Sequence, residues 1–224
     1  DLPEAHAKIS VGGEAAGWVL PDGGPLPSER WLRGIRDIAD RWGALLIFDE
    51  CQLAPARTGK FWSFEHYCVV PDIVTFGKGM TAGFANCGTI TTPEIAEKTR
   101  GALGLPWAGT YPQDPLPCAV GLKQLEIVLR DDLTGHAERE GVFIGERLGQ
   151  IQARHDCIGD VRGKGLYRML DIVKDRASKQ PDAQMAERIR YHALAEGLLL
   201  IAVKNYVRFC PPTIVTRAEL DDIL

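Results

Sequence analysis

Apolar residues recur at positions 31, 32, 35, 38, 39 and 42, the spacing of one helical face, in a segment that Ser28 opens as an N-cap and Gly43 closes. The run ALLIF (44–48) that follows is continuously apolar, the mark of a strand covered on both faces. A helix followed by a buried strand is half of an alternating α/β layer. PDIVTF (71–76) and CGTIT (87–91) read as two further short strands, and Pro93 suits the first turn of a helix over PEIAEKT. Helical patterns cover 114–130 and 131–155, the second running from a larger domain into a smaller one. Residues 159–175 alternate in strand fashion around two glycines. The polar stretch RASKQPDAQ reads as exposed, and a helix follows over 185–196. LLLIAV and YVRFC read as strands, and TRAELDDIL starts a last helix. The pattern predicts an α/β body over 1–130 and a small α+β domain over 131–224.

Composition narrows the function more than the fold. At 224 residues the chain can bury one sizeable core and a satellite domain. A net charge of -4 offers no basic face, which argues against nucleic acid and anionic lipid as partners. The longest apolar run, 197–203, is too short to span a bilayer. The start DLPEAH has no signal-peptide pattern and no initiator Met, which suggests a chain cut from something longer, and the scattered cysteines suit a reducing cytoplasm. The cysteines at 51, 68, 87, 118, 157 and 210 form no metal-binding pattern and are expected as small buried hydrophobes, with Cys51 notable for its neighbours.

Three features carry chemistry. Asp49 and Glu50 come straight off a buried strand, where α/β sheets place their ligands, and a carboxylate there is costly without a cationic partner. A protonated pyridine ring nitrogen is one such partner. Lys78 follows a strand and is flanked by Gly77 and Gly79, which would let the backbone approach a ligand. A desolvated turn there would favour the neutral amine that attacks carbonyls. A phosphate-binding P-loop is excluded, because glycine rather than Ser/Thr follows Lys78 and that motif's leading glycine is missing. Arg208, in an apolar strand, has the planar fork that matches a carboxylate. Each also has a plainer reading: a cap or surface pair, an exposed turn, and an arginine paired with a neighbouring acid.

Taken together and in order, these residues resemble the class III family of pyridoxal-phosphate (PLP) enzymes, which includes ornithine and 4-aminobutyrate aminotransferases. The likeness runs through LLIFDECQLAPARTGKFWSFEHYCVVPDIVTFGKGM, GTYPQDPLPCAVGLKQLEIV, IGDVRGKGL and VRFCPPTIV, almost the whole chain. It implies an aspartate-aminotransferase-like (type I) fold, of which this chain would be the C-terminal part of the large domain and the small domain. It implies PLP as cofactor, amino acid and 2-oxo acid substrates, and a homodimer or tetramer of dimers. By the same resemblance, Lys78 is the Schiff-base and proton-transfer lysine, Asp49 the partner of the pyridinium, and Gln52 the donor to the cofactor's phenolic oxygen. Thr110 reaches the phosphate in the neighbouring subunit, and Arg208 binds the α-carboxylate.

Within the family, QDPLPCAVGL, DCIGDVRGKGL and DIVKDRASKQP are similar to the dialkylglycine decarboxylase branch. That similarity implies decarboxylation-dependent transamination, with Asp114 and Thr110 near a potassium or sodium ion; Asp114 as a simple helix cap is the equal alternative. A plain omega-aminotransferase is the second functional reading, and a non-catalytic partner subunit a third. Four stretches depart from the family pattern: AKISVGG, LAPA after Gln52, Ala85-Asn86, and YRML at 167–170. The family's N-terminal half, which supplies the phosphate cradle and the ring-stacking aromatic, has no counterpart in this sequence, so weak or no cofactor retention and no turnover are expected of the chain by itself.

Overall fold

The computed structural model describes residues 8–11, 27–103 and 114–224. The chain divides into two compact units. The first holds Pro27–Pro55 and Trp62–Arg130; the second holds Ala56–Phe61 and Asp131–Leu224. A short excursion, 56–61, thus leaves the first unit's sequence to pack within the second.

In the first unit, β1 (Lys8–Val11), β2 (Leu45–Asp49), β3 (Ile73–Phe76) and β4 (Gly88–Thr91) form one sheet in that order. The first two pairings are parallel and the last antiparallel. Helix α1 (Glu29–Trp42) begins where Ser28 Oγ accepts from Trp31 N at 3.1 Å and ends at Gly43, whose φ of 61° only a residue without Cβ adopts cheaply. It buries Leu32 and Ala39 against Leu46 and Phe48 of β2. Trp31, Ile38 and Trp42, which share its apolar spacing, are exposed. Strand β2 is buried at Leu46 and Phe48 and half-buried at Leu45 and Ile47, so it alternates rather than being covered on both faces. Asp72 fixes its start: Oδ2 accepts from Leu46 N at 2.7 Å and from Arg36 Nη1 at 2.8 Å. Helices α2 (Pro93–Leu103) and α3 (Pro115–Arg130) follow the sheet. Strand β1 falls in the AKISVGG stretch, for which the apolar pattern predicts no element.

In the second unit, α4 (Leu133–Arg154) is capped by Asp132, whose Oδ1 accepts from Gly135 N at 3.1 Å. The 159–175 stretch is a hairpin, β5 (Ile158–Lys164) and β6 (Tyr167–Ile172), turning at Gly165 with φ 52°. LLLIAV yields only the short β7 (Ile201–Val203), and β8 (Tyr206–Phe209) completes an antiparallel sheet ordered β5-β6-β8-β7. Helix α5 (Ala183–Ala195) and the capping-box helix α6 (Arg217–Ile223, N-cap Thr216 with Glu219) cover it. Ile144, Leu148, Ile158, Leu166, Ile172, Val207 and Leu220 form the core. The 56–61 segment is tied in by Leu166 N donating to Arg57 O at 2.9 Å. Among the described residues, no helix is long and apolar enough to cross a membrane.

The cysteines depart from expectation. All six are free thiols, Cys68, Cys87 and Cys118 are exposed, and Cys51, Cys157 and Cys210 are half-buried. Cys51, Cys68 and Cys157 lie in turns, Cys87 and Cys210 flank strands β4 and β8, and Cys118 takes an exposed position on α3.

Candidate active site

The site is built at the carboxyl ends of β2 and β3. Parallel register puts Asp49 opposite Thr75, and Thr75 Oγ1 donates to Asp49 Oδ1 at 3.1 Å. The chain then turns, and Cys51 N donates to the same oxygen at 3.0 Å. Partial burial pushes the Asp49 carboxyl up. The thiol and N–H of Cys51, the Thr75 hydroxyl and the Lys78 charge outweigh it and hold the carboxyl below the usual range. An anion is thus kept ready at a strand end. The Cys51 thiol is pushed up by burial and by Asp49.

Lys78 opens a 3-10 turn (Lys78–Thr81) just past β3. It is exposed, not desolvated as the flanking glycines suggested, because the described residues put no apolar cover over this turn. The unusual backbone also sits on the lysine itself, at φ 44°. Gly77 is extended, and a Cβ on Gly77 or Gly79 would meet its nearest neighbours at ordinary distances of 3.4 and 3.5 Å. Residues in such sparsely populated backbone regions cluster at functional sites.

Gln52 is half-buried in the turn after β2, three positions from Asp49. The LAPA departure buries Leu53 and Ala54 and contains a cis bond between Ala54 and Pro55. Asp114 is exposed at the mouth of α3: Oδ1 accepts from Leu116 N at 3.1 Å and its carbonyl from Cys118 N at 3.2 Å, with Pro115 between. That is the arrangement of a helix N-cap. Thr110 lies outside the described residues. Among the described residues, no group of three or more His, Cys, Asp or Glu side chains is placed to hold a metal ion.

In the second unit, Arg208 lies on β8, half-buried, between Met169 of β6 and Ile201 of β7 in register. Its Nη1 donates to the Tyr167 hydroxyl at 3.1 Å, so a residue of the YRML departure supplies a neutral partner. Just past β8, Arg57 Nη1 donates to Pro211 O at 2.8 Å and to Cys210 Sγ at 3.2 Å.

Thr75 is the contributor that sequence reasoning missed, and Glu50, singled out beside Asp49, had been given no role of its own. Glu50 is fully buried; its Oε1 accepts from Ser63 Oγ at 2.5 Å and from Phe64 N at 3.1 Å. Adjacency to Asp49 was the available signal for Glu50. Thr75 carried none until the strand register was fixed.

The family model described as Aminotransferase class-III matches residues 19–224. The chain is 35% identical over 202 residues to an alanine/serine racemase of Pyrococcus horikoshii, covering 89% of this chain and 41% of that protein. It is 33% identical over 240 residues to a taurine–pyruvate aminotransferase of Bilophila wadsworthia, covering 96% and 52%. A Bacillus anthracis aminotransferase structure superposes with a TM-score of 0.86 at 27% identity, covering 97% of this chain and 50% of that one. The fold is therefore the type I fold of the PLP-dependent transaminases, and the chain spans about half the length of the curated relatives it matches.

Proposed function

The chain belongs to the class III aminotransferases, and from that premise we propose that it serves PLP-dependent transfer of an amino group to a 2-oxo acid, with Lys78 and Asp49 at the centre. The observation that carries this reading is the anionic Asp49 held at the end of β2 by Cys51 and Thr75, with the Lys78 charge acting on it from the end of β3. The donor set fits the cofactor: a carboxylate suits a protonated ring nitrogen and an exposed amine suits its aldehyde. PLP when bound supplies an electron sink for the substrate's α-carbon. Asp49 would hold its negative charge toward the ring nitrogen. Lys78 would hold the cofactor through its aldehyde and would move the proton at the substrate's α-carbon. Gln52 would donate to the phenolic oxygen. Arg208 grips the substrate carboxylate, exchanging a neutral phenol partner for an anion.

Plain transamination is favoured over decarboxylation, because the curated relatives include aminotransferases for taurine, 4-aminobutyrate and acetylornithine. Asp114, whose cation role would have marked the decarboxylase branch, bonds as a helix cap. A racemase among the relatives defines one alternative outcome, since racemisation needs Lys78 but no 2-oxo acid. Thr110 is proposed to reach the phosphate across a dimer interface.

Borohydride trapping of the PLP-loaded protein, followed by peptide mapping, is expected to label Lys78; a label elsewhere overturns the assignment. With Lys78 labelled, transfer from taurine or 4-aminobutyrate to pyruvate is expected. Conversion of L-alanine to D-alanine without any 2-oxo acid acceptor would indicate racemisation, and carbon dioxide release from 2-aminoisobutyrate would restore the decarboxylase reading.

A further inference from the structure

We propose that Glu50 is carried in the fold as an uncharged carboxylic acid, and that in this form it is the positioning residue that sets Asp49. This inference deepens the reading above and rests on it for the meaning of Asp49, but its physical content stands on the first unit alone.

The carboxyl of Glu50 is shut away from solvent. One oxygen is saturated, accepting from Ser63 Oγ at 2.5 Å and Phe64 N at 3.1 Å. The other, Oε2, is buried and has no hydrogen-bond partner among the described residues. A buried carboxylate with half its charge unsolvated is among the most costly groups a protein can hold, and the ordinary resolution is to keep the proton. Two groups face it with the wrong sign or none. Asp49, on its own strand, is an anion that repels a second negative charge, and Tyr67, in the 3-10 turn Ser63–Tyr67, is a phenol that the Glu50 charge itself would disfavour ionising. Burial is the largest influence on Glu50 and pushes it up, against the bonds from Ser63 and Phe64.

Glu50 is also the knot of the site. Its N–H donates to Thr75 O at 2.8 Å, and its carbonyl accepts from Leu53 N at 3.2 Å and Ala54 N at 3.1 Å. Its side chain holds the 63–64 turn. Thr75 therefore grips Glu50 through its carbonyl and Asp49 through its hydroxyl. Two adjacent carboxyls are driven to opposite states, one charged and one neutral, by one strand end. If both were ionised, their repulsion would work against the charge that the cofactor's ring requires of Asp49.

The protonation is read directly by infrared spectroscopy of the protein carrying 13C-labelled glutamate. At about pH 7, well above the ordinary glutamate range, one isotope-shifted band of a protonated carboxyl is expected, and it should vanish in Glu50→Gln. The stability profile gives a second readout. The unfolded chain releases this proton at a lower pH than the fold does. Stability from Glu50 is therefore complete below the ordinary glutamate range and declines as pH rises towards the folded value. Glu50→Gln, which mimics the neutral acid, should thus gain in melting temperature over the wild type between about pH 4 and pH 7. NMR titration of Asp49 tests the positioning: its low titration should survive in Glu50→Gln and rise in Glu50→Ala. Absence of the labelled band in the wild type at neutral pH overturns the proposal, even if neither variant folds. A pH-independent offset of Glu50→Gln, or an Asp49 titration unmoved in Glu50→Ala, also overturns it. None of these readouts needs cofactor, so a protein that shows the band but transfers no amino group would defeat the functional reading and leave this one standing.

Discussion

Thr75 and Asp49 stand opposite each other in the parallel pairing of β2 with β3, and the Thr75 hydroxyl donates to Asp49 Oδ1 at 3.1 Å. A β-branched residue that packs well in a strand thus also solvates the anion on its neighbour. Thr75→Val keeps the shape and removes the donor, so the cost is that of one hydrogen bond to a charged group, about 1.5–3 kcal/mol before discounting for solvent at this half-exposed site.

The same change has a pH signature. Asp49 is held low in the fold, so its stabilisation is present above the unfolded aspartate value and lost as pH falls through the folded one. Thr75→Val raises the folded value, and acid destabilisation should begin at a higher pH than in the wild type. Urea midpoints measured across the acid range check this; coincident curves would remove Thr75 from the site.

Lys78 occupies the left-handed region at φ 44°, where a residue with Cβ is disfavoured by about 1–2 kcal/mol. Lys78→Gly should therefore be more stable than Lys78→Ala by about 1 kcal/mol, while both lose covalent attachment of the cofactor. Thermal unfolding of the two variants without cofactor separates backbone strain from chemistry.

In the second unit, Gly141 of α4 lies against the hairpin turn so closely that a Cβ there would come within 2.3 Å of Gly165 Cα. Backbone cannot swing aside as a flexible side chain does. Gly141→Ala should cost at least about 1–3 kcal/mol through overpacking, seen as a lowered melting temperature of this unit. Gly149→Ala, on the same helix with open space around it, should cost nothing.

Asp114 supports the N-terminal end of α3 by accepting from Leu116 N. Asp114→Ala should cost about 1 kcal/mol of stability, and exchanging potassium for sodium should change neither stability nor activity. A cation-dependent difference lost in Asp114→Ala would restore the alkali-ion role.

The sequence by itself determined most of the elements and the residue types of the candidate site. The 3.6-residue spacing between Ser28 and Gly43 specifies α1 because cap chemistry and periodicity are local, and the same holds for the capping box at Thr216. Asp49 and Lys78 were legible because a charged residue at the end of an apolar strand is conspicuous without any partner. Tertiary structure alone decided which residues serve them. Register put Thr75 opposite Asp49, chain reversal brought Ser63 and Phe64 onto Glu50, and the turn at Gly165 divided one alternating stretch into two strands. Burial, too, was settled only by packing: apolar spacing alone could not tell buried Leu32 from exposed Trp42, nor predict that Lys78 would be exposed. Local pattern fixes which way a side chain leaves its own helix or strand. Strand pairing and turn closure fix what it meets, because they join residues far apart along the chain.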